Sequence, residues 1–135
     1  MKNTFHTKTL LIQELTLNDN EFIYELVNTD GWIRYIGNRN ISSPEAAREY
    51  ISKILLNPQI QYWVVKLRSN HTSIGIITLI KRDYLESHDF GFAFLPQFSK
   101  RGLAYEAGNA VLIDIQKSRK FKTILATTIP FYACS

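Results

Sequence analysis

Apolar positions in the first part of the chain recur with two different periods, which predicts a strand followed by a helix. Residues Thr9 to Leu15 form a short run rich in leucine and isoleucine, typical of a strand. Asn18 or Asp19 then caps a helix that extends to about Asn28. The apolar residues of this helix fall on one stripe, at Phe22, Ile23, Leu26 and Val27.

A second helix is predicted after a short aromatic connection or helical turn at Gly31 to Gly37. Ser43 is a suitable N-cap, and Pro44 fits the first helical position. Pro58 lies just beyond the predicted end. The apolar positions of this helix follow helical spacing and are expected to face the core: Ala47, Tyr50, Ile51, Ile54 and Leu55.

The pattern then changes to β-branched and aromatic residues with the character of strands. Gln61 to Arg68 and Ser73 to Lys81 are predicted to form a hairpin around the turn residues Ser69 to Thr72. The next stretch, "HDFGFAFL", is predicted to be a strand that Pro96 ends. Its bulky residues alternate with smaller ones, with Phe90, Phe92 and Phe94 on one face and Asp89, Gly91, Ala93 and Leu95 on the other.

Leu103 to Lys117 is predicted to be a further helix, and Lys122 to Thr127 a last strand. The inner face of this helix is expected to carry Leu103, Ala107, Ala110, Val111 and Ile115. The order of elements is strand, helices, three antiparallel strands, helix and strand. It predicts one α+β domain over residues 1–135, with a central sheet that is mixed, mostly antiparallel and flanked by helices.

Composition limits the class of partner. The chain carries a formal charge of +4 and a pI of about 9.2, which favours an anionic ligand. Its basic residues are dispersed rather than gathered on one helix, so nucleic-acid binding is not expected. The single cysteine, Cys134, the polar N-terminus and the absence of a long apolar run predict a cytoplasmic protein without membrane association. The three histidines lack metal-ligand spacing, so no metal is expected.

The segment from Pro96 to Ala104 joins a strand to the start of a helix through a short basic loop. The first N–H groups of a helix lack intrahelical acceptors and lie at its positive end, so they bind phosphate. Gly102 allows a ligand to approach the backbone closely, and Lys100 and Arg101 add positive charge. By itself, such a segment is more often a simple connection between a strand and a helix.

The longer segment "DFGFAFLPQFSKRGLAYEAGNAVL" resembles the signature region of GNAT-superfamily N-acetyltransferases, in particular the branch of the ribosomal-protein alanine acetyltransferases. The segments "GWIRYIGNRNISSPEAAREYI" and "GIITLIKRDYL" are similar to the same branch. The resemblance extends from Leu10 to about Ile129. It implies a GNAT fold, acetyl-CoA as cosubstrate, and transfer of the acetyl group to a primary amine, either a protein N-terminus or a small amine.

The loop motif of the family, Gln/Arg-x-x-Gly-x-Gly/Ala, falls on Ser99, Lys100, Arg101, Gly102, Leu103 and Ala104. Ser99 departs from the usual first residue. Lys100 stands where close relatives tend to have glycine, so a Cβ is expected to restrict φ there. The resemblance implies that the pyrophosphate binds the amides from Arg101 to Tyr105. It also implies that the pantetheine arm pairs with the backbone near Phe94 and Leu95.

Direct acyl transfer to a neutral amine needs a proton acceptor and an oxyanion donor. The resemblance makes the backbone N–H near Phe94 the oxyanion donor. Asp89 is the candidate base, and its alternative explanation is a solvated carboxylate near the start of a strand. Glu86 and His88 are weaker candidates for the same role.

Two aromatic residues, Trp32 and Tyr35, precede the second predicted helix, where the GNAT fold places its acceptor cleft. They either line this cleft as substrate-binding residues or pack in the core, as aromatic side chains commonly do. Glu106 falls in the first turn of the third predicted helix, where a carboxylate suits the dipole, so its expected role is structural.

The family normally continues past the fifth strand with another helix and a two-strand hairpin, whereas this sequence stops after "FYACS". The resemblance therefore predicts a C-terminally incomplete domain that lacks these elements. An alternative function follows, that of a CoA-binding or interaction module with weak or no turnover. The open strand at residues 122–127 is expected to pair with another chain, which predicts a homodimer or other self-association.

Overall fold

A computed structural model describes residues 4–81, 88–118 and 124–128 of the chain. Their elements follow the predicted order, with one additional strand at the N-terminal end. The strands are β1 (Thr4–His6), β2 (Leu10–Glu14), β3 (Ile60–Leu67), β4 (Ser73–Lys81), β5 (His88–Phe94) and β6 (Ile124–Thr128). The helices are α1 (Asn20–Val27), α2 (Asp30–Tyr35), α3 (Pro44–Leu56) and α4 (Leu103–Ser118), with 3₁₀ turns at Leu17–Asp19 and Pro96–Arg101.

The six strands within the described residues form one sheet in chain order, from β1 to β6. Each neighbouring pair from β1 to β5 is antiparallel. β5 and β6 are parallel, and the connection between them contains α4, because parallel neighbours need a crossover. The predicted fold class, a mixed and mostly antiparallel sheet flanked by helices, is confirmed.

β1 is the element that the sequence did not predict. It pairs with β2 from Thr4 opposite Gln13 to His6 opposite Leu11. Three residues with one large apolar side chain, Phe5, give too short an alternation to indicate a strand. Phe5 is nevertheless buried, and its ring meets that of Trp63 edge to face with centroids 6.3 Å apart. Tertiary packing therefore fixes this strand.

Apolar side chains form one cluster on each face of the sheet. The first face is covered by α1, α2 and α3, and the four residues predicted for the stripe of α1 are all buried there. In α3, Ala47, Ile51 and Ile54 are buried as predicted. Leu55 is 46% exposed, so its predicted burial is wrong: the buried stripe of α3 is narrower than the apolar pattern suggests.

The N-terminal end of α3 agrees with the sequence. The Ser43 hydroxyl accepts a hydrogen bond from the Ala46 N–H at 3.1 Å, and Pro44 occupies the first helical position. The side chain of Ser43 thereby satisfies one of the N–H groups that a helix leaves unpaired at its start.

The second cluster lies between the sheet and α4. Phe90 and Phe94 of β5 are buried in it together with three residues from the inner face of α4, namely Leu103, Ala107 and Val111. Ala93 and Leu95 belong to the opposite cluster, so the predicted alternation along β5 is confirmed. Ala110 is half-buried, and the side chain of Ile115 lies outside the described residues.

Candidate functional site

The loop after β5 turns the chain from the sheet into α4. Leu95 is extended, with φ −59° and ψ 141°, and the 3₁₀ turn then runs from Pro96 to Arg101. Gly102 follows in the left-handed region, with φ 67° and ψ 9°. The Gly102 carbonyl accepts a hydrogen bond from the Glu106 N–H at 3.1 Å, the first α-helical bond of α4. Glycine is favoured here because a Cβ is strained at this φ.

The backbone restriction that the sequence led us to expect at Lys100 lies at Gly102 instead. Lys100 is inside the 3₁₀ turn, whose φ is accessible to any L residue. The lysine therefore fits the backbone of the loop. The side chains of Ser99, Lys100 and Arg101 lie outside the described residues.

Three N–H groups stand at the start of α4, those of Leu103, Ala104 and Tyr105. They precede the first α-helical hydrogen bond, so no carbonyl of the helix accepts a hydrogen bond from them. α4 is 16 residues long, enough for its dipole to place about half a positive charge at this end. The side chain of Tyr105 is 77% exposed. Such a helix end is suited to a phosphate group.

The edge of β5 next to this helix end also has backbone groups available. Leu95 donates its N–H to the Ile74 carbonyl of β4 at 2.8 Å, and Phe94 lies opposite Gly75. Because successive N–H groups of a strand point to opposite edges, the N–H and C=O of Phe94 point away from β4, toward the side of β6. The last pair between β5 and β6 among the described residues is Phe92 with Thr128. An extended ligand on the side away from β4 would therefore meet the backbone of Phe94, whereas the Leu95 N–H is bonded to β4.

The candidate base lies toward the other end of β5. Asp89 is opposite Ile80 of β4 and Leu125 of β6. At about 3.4 Å per residue, its Cα is roughly 17 Å from that of Phe94. An amine held at Phe94 would thus need a relay, such as water, to reach the carboxylate. The side chains of Asp89 and His88 and the whole of Glu86 lie outside the described residues, so the base stays a prediction.

The two candidate acceptor-binding residues lie in α2. Trp32 is 3% exposed and packs in the cluster beneath α1, α2 and α3. Its indole Nε1 has no hydrogen-bond partner among the described residues. Tyr35 ends α2, and its side chain is not among those described. Trp32 therefore packs in the core, and contact of either residue with an acceptor stays a prediction.

The structure brings together two tyrosines that the sequence analysis did not single out as functional. Burial raises the pKa of Tyr62 well above its usual range, the neighbouring Tyr50 and its hydrogen bond raise it further, and Arg39 partly offsets the rise. Tyr62 therefore stays a neutral hydroxyl even at alkaline pH at which an exposed tyrosine ionises. It lies opposite Thr78, which in turn is opposite Gly91 of β5. Tyr50 lies in α3 and Tyr62 in β3, so their contact joins these two elements. The spacing of residues along the sequence does not predict this contact.

Glu106 ties the start of α4 to the turn between β1 and β2. Its carboxylate accepts hydrogen bonds from the Thr7 hydroxyl, from the Thr9 hydroxyl at 2.7 Å and from the Thr9 N–H at 3.2 Å. Partial burial acts to raise the pKa of Glu106. The hydrogen bonds from Thr7 and Thr9, together with the nearby Lys8, outweigh that effect and hold the pKa below its ordinary value. These contacts match the structural role expected for this residue.

Replacing Glu106 with glutamine is expected to lower the free energy of unfolding by about 1 kcal/mol at pH 7, because the charged acceptor is lost. The lowered pKa means that this stabilisation is present above the unfolded-state pKa, about 4.3, and is lost as the pH falls through the folded-state value. Urea unfolding at pH 7 and pH 3.5 should show the difference from wild type shrinking at the lower pH. The control is Glu49→Gln, at an exposed position of α3, which should show no such change with pH. If Glu106→Gln differs from wild type by the same free energy of unfolding at both pH values, this account is contradicted.

An open cleft of about 430 Å³ lies beside the start of α4. Its lining residues are Lys8, Thr9, Leu67, Arg68, Ser69 and Leu103. Lys8 and Arg68 are exposed, and Arg68 donates from Nη1 to the Thr7 carbonyl at 2.8 Å. We call this feature the basic cleft. It places two positive charges next to the first residue of α4.

Two further features are absent from the described part of the chain, residues 4–81, 88–118 and 124–128. Among the described side chains, no three of His, Cys, Asp or Glu come together as metal ligands. In the same ranges, no helix combines the length and apolar character that crossing a membrane requires.

A family profile described as "Acetyltransferase (GNAT) domain" matches residues 9–131. The match includes β5, the loop with Gly102 and the whole of α4. The chain belongs to the GNAT acetyltransferase family. The resemblance seen in the signature segment is thereby confirmed.

Individual GNAT proteins match over most of the chain. YnaD of Bacillus subtilis (strain 168), an uncharacterized N-acetyltransferase, is 28% identical over 124 residues, which cover 92% of this chain and 72% of YnaD. RimL, a ribosomal L7/L12 alpha-N-protein acetyltransferase solved in complex with coenzyme A, matches with a TM-score of 0.76 and 11% identity, over 89% of this chain and 71% of that chain.

A second solved structure is the spermidine N-acetyltransferase from Vibrio cholerae in complex with CoA and spermine. It matches with a TM-score of 0.67 and 22% identity, over 84% of this chain and 66% of that chain. At these identities, the two structures show that the GNAT fold is shared and do not transfer a substrate.

Proposed function

We propose that this GNAT protein binds acetyl-CoA at the start of α4 and transfers its acetyl group to a primary amine. The observation that carries the proposal is the glycine-capped helix start, with the N–H groups of Leu103, Ala104 and Tyr105 close in sequence to Phe94, whose backbone faces away from β4. The pyrophosphate would bind these N–H groups, and the pantetheine arm would pair with the carbonyl of Phe94, which leaves the Phe94 N–H for the reacting thioester. Coenzyme A in the RimL and spermidine N-acetyltransferase structures supports this choice of ligand.

The reaction needs few groups from the protein. The nitrogen of the neutral amine attacks the thioester carbonyl carbon, the carbon–sulfur bond then breaks, and the thiolate of CoA leaves and takes up a proton. The Phe94 N–H would donate to the carbonyl oxygen as negative charge develops on it. The proton that the amine loses would pass to Asp89 through water, since the two sites on β5 are far apart.

The acceptor is proposed at the level of chemical class. RimL is named for a protein α-amino group and the spermidine enzyme for a polyamine. Both acceptors are primary amines, which supports either a protein N-terminus or a small amine as the acceptor of this chain.

Isothermal titration with acetyl-CoA, followed by a thiol-release assay with spermidine and with an alanine-terminated peptide, tests the proposal. We expect binding of acetyl-CoA and a release of CoA thiol that increases with one of the amines. Binding without amine-dependent release would support the alternative, a CoA-binding module without turnover. Absence of binding would overturn both.

We also propose that the chain self-associates through β6. β6 is the final strand in the order of the described sheet, and a terminal strand presents backbone groups to another chain. Light scattering at micromolar protein concentration should give a mass of at least twice 15.6 kDa. A monomeric mass under these conditions would contradict the proposal.

A further inference from the structure

We infer that the basic cleft binds the 3′-phosphate of the nucleotide portion of coenzyme A. This inference rests on the proposed function, since it places a second part of the same ligand. The observation behind it is a juxtaposition: Lys8 and Arg68 share a cleft with Leu103, whose N–H is one of the groups proposed to bind the pyrophosphate.

The sheet register brings the two cations together. Leu10 at the start of β2 is opposite Leu67 at the end of β3, and the Arg68 N–H donates to the Thr9 carbonyl at 2.9 Å. Lys8 and Arg68 therefore emerge at the same end of the sheet on neighbouring strands. β5 ends and α4 begins at this end too, so the cleft adjoins the helix start.

The guanidinium of Arg68 is held in place. Its hydrogen bond to the Thr7 carbonyl uses Nη1, and a guanidinium has five N–H donors, so others can contact an anion. The neighbouring negative charge is Glu106, which accepts its hydrogen bonds from Thr7 and Thr9 and lies close enough to Lys8 to be affected by its charge. Two cations against one carboxylate leave the cleft with a net positive charge.

Coenzyme A carries phosphate at two places, the pyrophosphate and the 3′ position, separated by a single ribose. A ligand of this kind needs two anion sites side by side, and the helix start and the basic cleft form such a pair. Because Lys8 and Arg68 are exposed, their effect is partly screened by solvent and falls as salt rises. The cleft therefore contributes a small part of the affinity for CoA. Its main effect is to favour a ligand with a 3′-phosphate on the ribose over one without it.

Titration with CoA and with 3′-dephospho-CoA at low salt tests this inference. Wild type should bind CoA about three- to tenfold more tightly than dephospho-CoA, the range expected for two exposed ion pairs. The double variant Lys8→Gln/Arg68→Gln should lose this preference while binding dephospho-CoA as wild type does. Lys8→Gln alone leaves the Arg68 hydrogen bond intact. In this variant the logarithm of the ratio between the affinities for CoA and dephospho-CoA should fall by about half.

A matched control is available on the opposite face of the sheet. Arg48 and Lys53 lie exposed on α3, and Arg48 also donates to a backbone carbonyl, that of Leu17 at 3.4 Å. Arg48→Gln/Lys53→Gln makes the same change in net charge and should keep the preference. Equal wild-type affinities for the two ligands, or a preference that survives in the cleft variants, would overturn this inference alone. If neither ligand binds, the proposed function is overturned with it.

Discussion

Replacing Gly75 with alanine is expected to lower the free energy of unfolding by about 3 kcal/mol, the upper part of the range for overpacking in a core. A Cβ at Gly75 would lie 2.6 Å from Cγ and 2.7 Å from Cδ1 of Phe94, and 2.8 Å from the Ala93 carbonyl oxygen. Phe94 is fully buried between the sheet and α4, so its ring has no space into which to move. Equilibrium unfolding in urea measures the change.

Gly108 in α4 provides the matched control. A Cβ there would meet Phe92 at 3.6 Å and Phe90 at 3.7 Å, which is ordinary van der Waals contact. Gly108→Ala should therefore raise the free energy of unfolding by about 0.5–1 kcal/mol, as expected for alanine in place of glycine inside a helix. A Gly75→Ala variant as stable as wild type would show that the ring of Phe94 is not fixed as described.

Replacing Ala104 with proline is expected to weaken acetyl-CoA binding by about tenfold or more. Proline is tolerated in the first turn of a helix, where its missing N–H has no intrahelical partner. It removes one backbone donor from the proposed pyrophosphate site, and a hydrogen bond to a charged group is worth about 1.5–3 kcal/mol. Isothermal titration with acetyl-CoA measures the loss.

Ala104→Ser is the control for this substitution, because serine keeps the backbone N–H and is a small residue. Its affinity for acetyl-CoA should stay within a factor of about two of wild type, since only the side chain changes. Far-UV circular dichroism should show the same helix content for both variants. Equal affinities of Ala104→Pro and Ala104→Ser would mean that the phosphates bind away from the start of α4.

Much of the fold follows from periodicity in the sequence. The buried stripe of α1 and the cap of α3 at Ser43 come from local spacing, and the structure confirms both. The loop proposed to bind the phosphates is also signalled locally, because Gly102 stands between a strand that proline ends and a helical pattern. These features depend on residues close together in the chain, which is why a sequence can indicate them.

Other features depend on how distant segments pair, and local periodicity does not contain that information. β1 is a strand because Phe5 packs against Trp63, and the basic cleft exists because the Thr9 carbonyl meets the Arg68 N–H. The contact between Glu106 and the turn with Thr7 likewise joins residues far apart in the chain. Register and packing decide these contacts, so the sequence analysis did not single out Phe5 or Arg68 and gave Glu106 no partner.

The parallel pairing of β5 with β6 has a consequence for how ligand and fold are linked. The other strand pairs of the described sheet are antiparallel neighbours, whereas this one requires the chain to cross over through α4. A molecule that spans the Phe94 edge and the start of α4 would contact both sides of the turn through which the chain leaves β5 and enters this crossover. Its binding energy would therefore be added to the stability of that turn, and the cosubstrate would stabilise the point at which the crossover begins.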